Sequence, residues 1–281
     1  MRFGVATFVT DEGIAPARLG CALEERGFES VFVAEHTHIP VKRESQWPEV
    51  DELPRKYYRT FDPFVTLTAA AVVTERLLVG TGVLLLVERD PITTAKEIAS
   101  LDHVSGGRIV VGVGAGWNRE EMRDHGTDPK TRTALLRERV LAMKEIWAKD
   151  QAEFHGSFVD FDPIFCWPKP VQRPHPPIIM GGNGPRTLDR VLEYGDGWMP
   201  TYGLGVDEIA RRITELERRA VEAGRARIPV SVYAVPGDHE IVARLADVGA
   251  DQVLFDLPTL PLEETCRTLD ELAAVARSFT P

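Results

Sequence analysis

Glu35-His36-Thr37-His38 is the first place in the chain where residue types and spacing suggest chemistry. It follows Ser30–Ala34, an apolar and partly β-branched run, so it stands at the end of a candidate strand. Side chains alternate along a strand, and His36 and His38 would share a face if the strand ran through them. Two chemistries use such a pair. One is a general acid or base, His36 with Glu35 beside it; the other is the His-x-His half of a metal site. A packed or surface histidine is the plain alternative. The metal reading needs further ligands on later strands. Residues 108–114, 176–182 and 195–200 contain no lysine or histidine, and only Asp256 stands on a late strand. The remaining histidines, 103, 125, 155, 175 and 239, lie in helix-like or loop-like stretches and form no His-Glu-x-x-His. The sequence predicts no metal.

A second chemical signal is the stretch SGGRIVVGVGAGWNREEM, with glycines at alternate positions 112, 114 and 116. A dinucleotide-binding turn requires Gly-x-Gly-x-x-Gly or Ala between strand and helix. The third position here is Trp117 or Arg119, depending on where the count starts, so the fingerprint fails. What remains is a strand end stripped of side chains, open to a flat ligand or to close packing. Gly80-Thr81-Gly82-Val83 is similarly thin. Gly181, Gly182, Asn183 and Gly184 precede a helix predicted to start near Pro185. Exposed N–H groups at a helix N-terminus make an anion site, with Arg186 available to add charge.

The elements that must position these residues alternate regularly. Strands are predicted over 2–8, 30–36, 77–86, 108–114, 176–182, 195–200, 229–235 and 251–257. Helices are predicted over 16–26, from Asp62-Pro63 to Thr74, and over 91–104, 132–149, 185–194, 206–224, 240–248 and 262–277, with a hairpin around 153–161. Eight βα units of this length predict an α/β fold, a (β/α)8 TIM barrel, as one domain over residues 1–281. The near-continuous apolar strands fit parallel strands covered on both faces. The segments after the second and fourth strands read as rim insertions.

The 281 residues carry a formal net charge of -10. With no basic face to replace counterions, nucleic acid is not an expected partner. Cys21, Cys166 and Cys266 form no Cys-x-x-Cys pair, which fits a reducing, cytoplasmic setting. The amino terminus enters a strand-like run without a signal-peptide layout, and no apolar run reaches membrane-span length.

Five segments in order, VAEHTHIP, GTGVLLL with RDP, LDHVSGGRIVVGVGAGWNREEM, WPKPVQRPHPPIIMGGNGP and GDGWMP, resemble the bacterial luciferase-like flavin/deazaflavin oxidoreductases. The likeness runs from about residue 2 to 200 and is closest to the subgroup that uses the deazaflavin coenzyme F420 rather than FMN. The resemblance implies a non-prolyl cis peptide at Gly82-Val83 backing a tricyclic ring. It places Gly114, Ala115 and Asn118 along the ring's pyrimidine edge, the cofactor phosphate at Gly181, Gly182, Asn183 and Gly184, and the active histidine at His36. The implied activity is two-electron hydride transfer to or from a small organic substrate, in a homodimer. The alternatives are an FMN monooxygenase fed by a separate flavin reductase, and a cofactor-binding barrel without turnover. Tyr57, Tyr58 and Arg59 are candidate substrate contacts without an assigned place.

Overall fold

The computed structural model describes residues 1–45 and 52–279; Pro48, in the predicted rim insertion, lies outside them. Eight parallel strands form the barrel: β1 (Arg2–Thr7), β2 (Ser30–Val33), β3 (Leu78–Thr81), β4 (Ile109–Val113), β7 (Ile178–Gly181), β8 (Gly197–Met199), β9 (Ser231–Val235) and β10 (Gln252–Leu257). The hydrogen-bonded order is β8-β7-β4-β3-β2-β1-β10-β9. Parallel bridges Trp198–Val230 and Thr201–Tyr233 join β8 to β9 and close the circle. Helices follow the strands in turn: α1 (Pro16–Glu25), α2 (Pro63–Ala71), α3 (Pro91–Ser105), α4 (Arg119–Asp124) with α5 (Arg132–Ala148), α6 (Thr187–Tyr194), α7 (Val206–Glu222), α8 (His239–Asp247) and α9 (Leu262–Arg277). The chain is a (β/α)8 barrel. Among the described residues no helix is long and apolar enough to cross a membrane.

Local chemistry explains the helix boundaries. Asp62 accepts hydrogen bonds from the Phe64 and Val65 N–H groups at 2.9 and 3.0 Å, and Pro63 fills the first turn, where no N–H is needed. Asp90 and Pro91 repeat the device on α3, which ends on left-handed Gly106. The insertion after β4 carries an antiparallel hairpin, β5 (Gln151–His155) and β6 (Asp160–Phe165). Glu138 of α5 ties its turn down by accepting from the Ser157, Phe158 and Val159 N–H groups.

Two apolar layers hold the barrel. The outer layer packs strands against helices; the inner one gathers Ala6, Phe32, Ile179, Met199 and Leu254. Phe32 is 2% exposed, and a Cβ on Gly80 would lie 2.6 Å from its ring. The glycine thus makes room for the ring that plugs the barrel's interior.

Several elements end earlier than the sequence predicts. β2 stops at Val33, so Glu35 and His36 leave the strand, and His36 and His38 do not share a strand face. β3 stops at Thr81, where the cis Gly82–Val83 peptide turns the chain toward a short 3-10 turn at Leu86–Glu88. α6 begins at Thr187 rather than Pro185, and α2 ends at Ala71 rather than Thr74.

Candidate active site

A cavity of about 870 Å3 opens at the C-terminal mouth of the barrel, where the strand-to-helix loops meet. Its wall follows the strand order. Gly181, Gly182 and Gly184 stand on the β7 side, Gly114 to Trp117 follow β4, and Gly82 and Val83 follow β3. His36 follows β2, Phe8 follows β1, and Tyr233 and Asp256 rise from β9 and β10.

Val83 occupies the centre of this wall. A Cβ on Gly114 would lie 2.6 Å from Val83 Cγ2, and one on Gly181 would lie 2.5 Å from Val83 Cγ1. These two glycines therefore form a notch that seats the Val83 side chain, a packing role the sequence does not disclose. The Gly82–Val83 peptide itself is cis, as the resemblance implies.

His36 is held from behind. Its Nδ1 lies 2.7 Å from Glu121 Oε2, with the two side chains 6% and 0% exposed. The other Glu121 oxygen accepts the Thr37 N–H at 3.1 Å. With the Glu121 carboxyl oxygen as acceptor the proton sits on Nδ1, leaving Nε2 to accept or return a proton. The ring also meets Tyr57 and Trp117, with centroids at 5.4 and 5.8 Å. His38 sits elsewhere, half-exposed, 3.0 Å from Asp124 Oδ2.

Glu121 is the partner that reading by motif misses. It lies 85 positions from His36, in the first turn of α4. The available signal is the spacing Asn118-x-x-Glu121: the Asn118 side chain accepts the Glu121 N–H at 3.3 Å and caps that helix. Asn118 is accordingly buried as a cap and is not among the residues that line the cavity.

Glu35 touches the cavity wall, but both its oxygens are engaged. One accepts the Leu85 N–H at 2.5 Å and the other Arg89 Nε at 2.6 Å. Arg89 in turn reaches Asp62 at 2.8 Å and Glu97 at 3.2 Å. Burial pushes the Glu35 carboxyl up, against the pull of Arg89. This geometry makes Glu35 an anchor for the loops after β2 and β3, and leaves it no free oxygen for proton donation. Behind them lies Glu88, its side chain 1% exposed. Neither of its oxygens has a hydrogen-bond partner among the described residues. Burial, then the neighbouring Glu121 and Glu35, push it up to about 9. It is a neutral acid at physiological pH.

The β7 side is a glycine-rich loop flanked by arginines. Gly182 has φ 127°, a conformation open mainly to glycine. A Cβ on Gly182 or Gly184 would meet only Thr187 Oγ1, at 3.4 and 3.7 Å, so the loop bounds a hollow before the N-terminus of α6. Its carbonyls are taken from elsewhere: Gly182 by the Trp198 indole N–H at 3.1 Å, Asn183 and Gly184 by Arg212 at 2.8 and 3.2 Å. Arg186 and Arg190 line the hollow, and Arg132 stands on the same cavity wall. Asn183 is not a lining residue; its amide is exchanged with Thr201, donating at 2.6 Å and accepting at 3.0 Å, which clamps the loops after β7 and β8 together. Of the three candidate substrate contacts, Tyr57 lines the cavity, whereas Tyr58 does not and Arg59 is turned to Asp11.

The family model for luciferase-like monooxygenase matches residues 12–247. An uncharacterized Mycobacterium tuberculosis protein is 41% identical over 98% of both chains. The FMNH2-dependent dimethylsulfone monooxygenase of Pseudomonas putida is 35% identical over 158 residues, covering 55% of this chain and 43% of that one. The F420-dependent hydroxymycolic acid dehydrogenase of M. tuberculosis is 26% identical, covering 86% of this chain and 63% of its own. Among solved structures, the monooxygenase RslO1 from Streptomyces bottropensis superposes with a TM-score of 0.82, at 21% identity and 99% coverage of both chains. With that family match spanning most of its length and a relative 41% identical along nearly the whole chain, the protein belongs to the luciferase-like monooxygenase family, whose members include flavin- and deazaflavin-dependent oxidoreductases.

Proposed function

We propose that the protein is an F420-dependent oxidoreductase that moves a hydride between the deazaflavin and a small organic substrate. The observation that carries the reading is one continuous wall. The anion hollow at Gly182–Thr187, the flat backbone around Val83 and Gly114–Gly116, and the glutamate-held His36 follow one another along it. Gly181, Gly182 and Gly184, with Arg186 and Arg190, would hold the phosphate, while Gly82, Val83, Gly114 and Ala115 would back the ring. Bound there, the deazaflavin supplies a two-electron hydride donor or acceptor carbon. His36 takes or returns the substrate's hydroxyl proton at Nε2, and Glu121 steadies the resulting imidazolium. The aromatic rings of Tyr57 and Trp117 keep water from that proton.

Arginines support F420 over FMN. Arg132, at the start of α5, lines the cavity in addition to Arg186 and Arg190, giving it more positive charge than a single phosphate needs. F420 carries carboxylates beyond its phosphate; FMN does not. The likeness to an FMNH2-dependent monooxygenase supports the second reading, in which reduced FMN arrives from a separate reductase. Fluorescence titration of the cofactor-free protein with F420, FMN and reduced FMN separates them. Tightest binding of F420 is expected. Preference for reduced FMN would replace the first reading with the second, and binding of neither would remove both.

A further inference from the structure

The cavity floor contains a polar group that the proposed chemistry leaves idle. Tyr233 packs, like Val83, on the inner apolar layer, and it lines the cavity. Its strand, β9, and β3 stand four strands apart in the closed order of eight, on opposite sides of the barrel. The Tyr233 ring nevertheless reaches Gly82. A Cβ there would lie 2.5 Å from Tyr233 Cε2, the carbon next to the one that bears the hydroxyl. The side chain therefore lies across the mouth, and the glycine at 82 leaves it room.

The backbone is shaped to send it there. Leu254 pairs with Tyr233 and Phe255 with Val235, so Ala234 is the extra residue of a bulge. Ala234 has φ 58°, a left-handed conformation that costs a non-glycine residue free energy. The bulge ends the inward-facing column of β9 on Tyr233, since Val235 packs in the outer layer. The Tyr233 hydroxyl makes no hydrogen bond among the described residues. Burial, then Asp256 and Tyr57, push the phenol up, so it keeps its proton: a donor without an acceptor.

Val83 fills the Gly114–Gly181 notch on one side, and Gly82 meets Tyr233 on the other. The floor thus passes from Gly114 through Val83 and Gly82 to Tyr233. A flat tricyclic ring laid on Val83 with its pyrimidine end at Gly114 and Ala115 brings its benzenoid end over Tyr233. We infer that Tyr233 is a specificity-determining residue for the cofactor, its hydroxyl donating to an oxygen on the benzenoid end of the ring. The deazaflavin of F420 carries a hydroxyl at that end, whereas FMN carries two methyl groups. The hydroxyl oxygen accepts the Tyr233 proton; methyl groups cover the donor and leave it unmet. The inference rests on the proposed function for where the ring lies, and its test separates the two.

The test is fluorescence titration of the cofactor-free protein with two phosphate-free rings that differ only at the benzenoid end. They are deazariboflavin, with two methyl groups, and its demethylated hydroxy counterpart, the chromophore of F420; F420 itself is titrated alongside. The hydroxy ring is expected to bind about 10-fold or more tighter than deazariboflavin. Tyr233→Phe removes the hydroxyl and keeps the ring. It should bring the hydroxy ring within about 3-fold of deazariboflavin, weaken F420 by a similar factor, and leave deazariboflavin itself within about 3-fold. Equal affinity of the two rings in the unaltered protein overturns the inference. So does a preference that survives Tyr233→Phe, an F420 affinity that the variant does not move, or a variant that weakens both rings alike, which is a packing role. In each of these cases F420 still binds and the proposed function stands. Failure of F420 to bind the unaltered protein removes both.

Discussion

Replacing Glu88 by glutamine should make the protein more stable, and increasingly so as pH rises. Glu88 is buried behind the His36–Glu121 pair without a hydrogen-bond partner among the described residues, and it titrates near 9 rather than the ordinary 4.5. The groups around it are Glu121, Glu35, Arg89 and Arg139, with His125 4.0 Å away. The folded protein therefore keeps a proton that the unfolded chain has released above pH 4.5. Stability is lost as pH climbs from that value toward 9, and at pH 7 the penalty is about 3 kcal/mol, since each unit between folded and unfolded values is worth about 1.4 kcal/mol. Glutamine does not titrate and has nearly the same shape. Denaturant unfolding at pH 5, 7 and 8.5 reads the effect. Glu88→Gln should match the unaltered protein within about 1 kcal/mol at the lowest pH, exceed it by about 3 kcal/mol at neutrality, and gain further at the highest, at constant m-value. A difference that does not change with pH, or a variant less stable at pH 8.5, would refute the reasoning, because Glu88 would then be ionised in the folded state.

Other expectations follow from named contacts. His36→Ala should lower turnover by roughly 100-fold or more while cofactor Kd, measured by fluorescence, moves less than about 3-fold. Glu121→Gln should lower turnover by about 10-fold or more and shift its pH profile, since the amide leaves an imidazolium at His36 without its counter-charge. Gly114→Ala should drive a methyl into Val83 and cost about 1–3 kcal/mol in unfolding experiments, and Val83→Ala in the same chain should recover most of it. Glu35→Ala removes the acceptor shared by the Leu85 N–H and Arg89 Nε and should destabilise by about 1–3 kcal/mol, whatever it does to turnover, with Asp62 and Glu97 still meeting the guanidinium.

How much of this was legible depends on sequence distance. The strands and helices announce themselves through β-branched runs and Asp-Pro caps, which are local, and the glycine loop before α6 reads as an anion site on local grounds too. Strand ends do not, because β2 is cut short by a tertiary event: Glu35 leaves the sheet to meet Arg89, 54 residues on. The Glu121 partnership and the Val83 notch are likewise contacts between separate βα units, invisible to spacing. Asn118 and Asn183 stand on the expected loops, but the Asn118 side-chain oxygen caps α4 and the Asn183 amide is engaged with Thr201. The last third of the chain carries no motif that spacing alone discloses, yet it supplies Tyr233 and Asp256 to the cavity wall.

In the proposed enzyme one wall holds ring, phosphate and histidine in sequence. A crystal structure with F420 bound tests it most directly. The ring should lie against Val83 and Gly114, the phosphate before Thr187 with Arg186 and Arg190, and the ring's reactive edge should face His36. A cofactor whose phosphate sits on the β1–β10 side, or whose ring leaves Val83 uncovered, would contradict it.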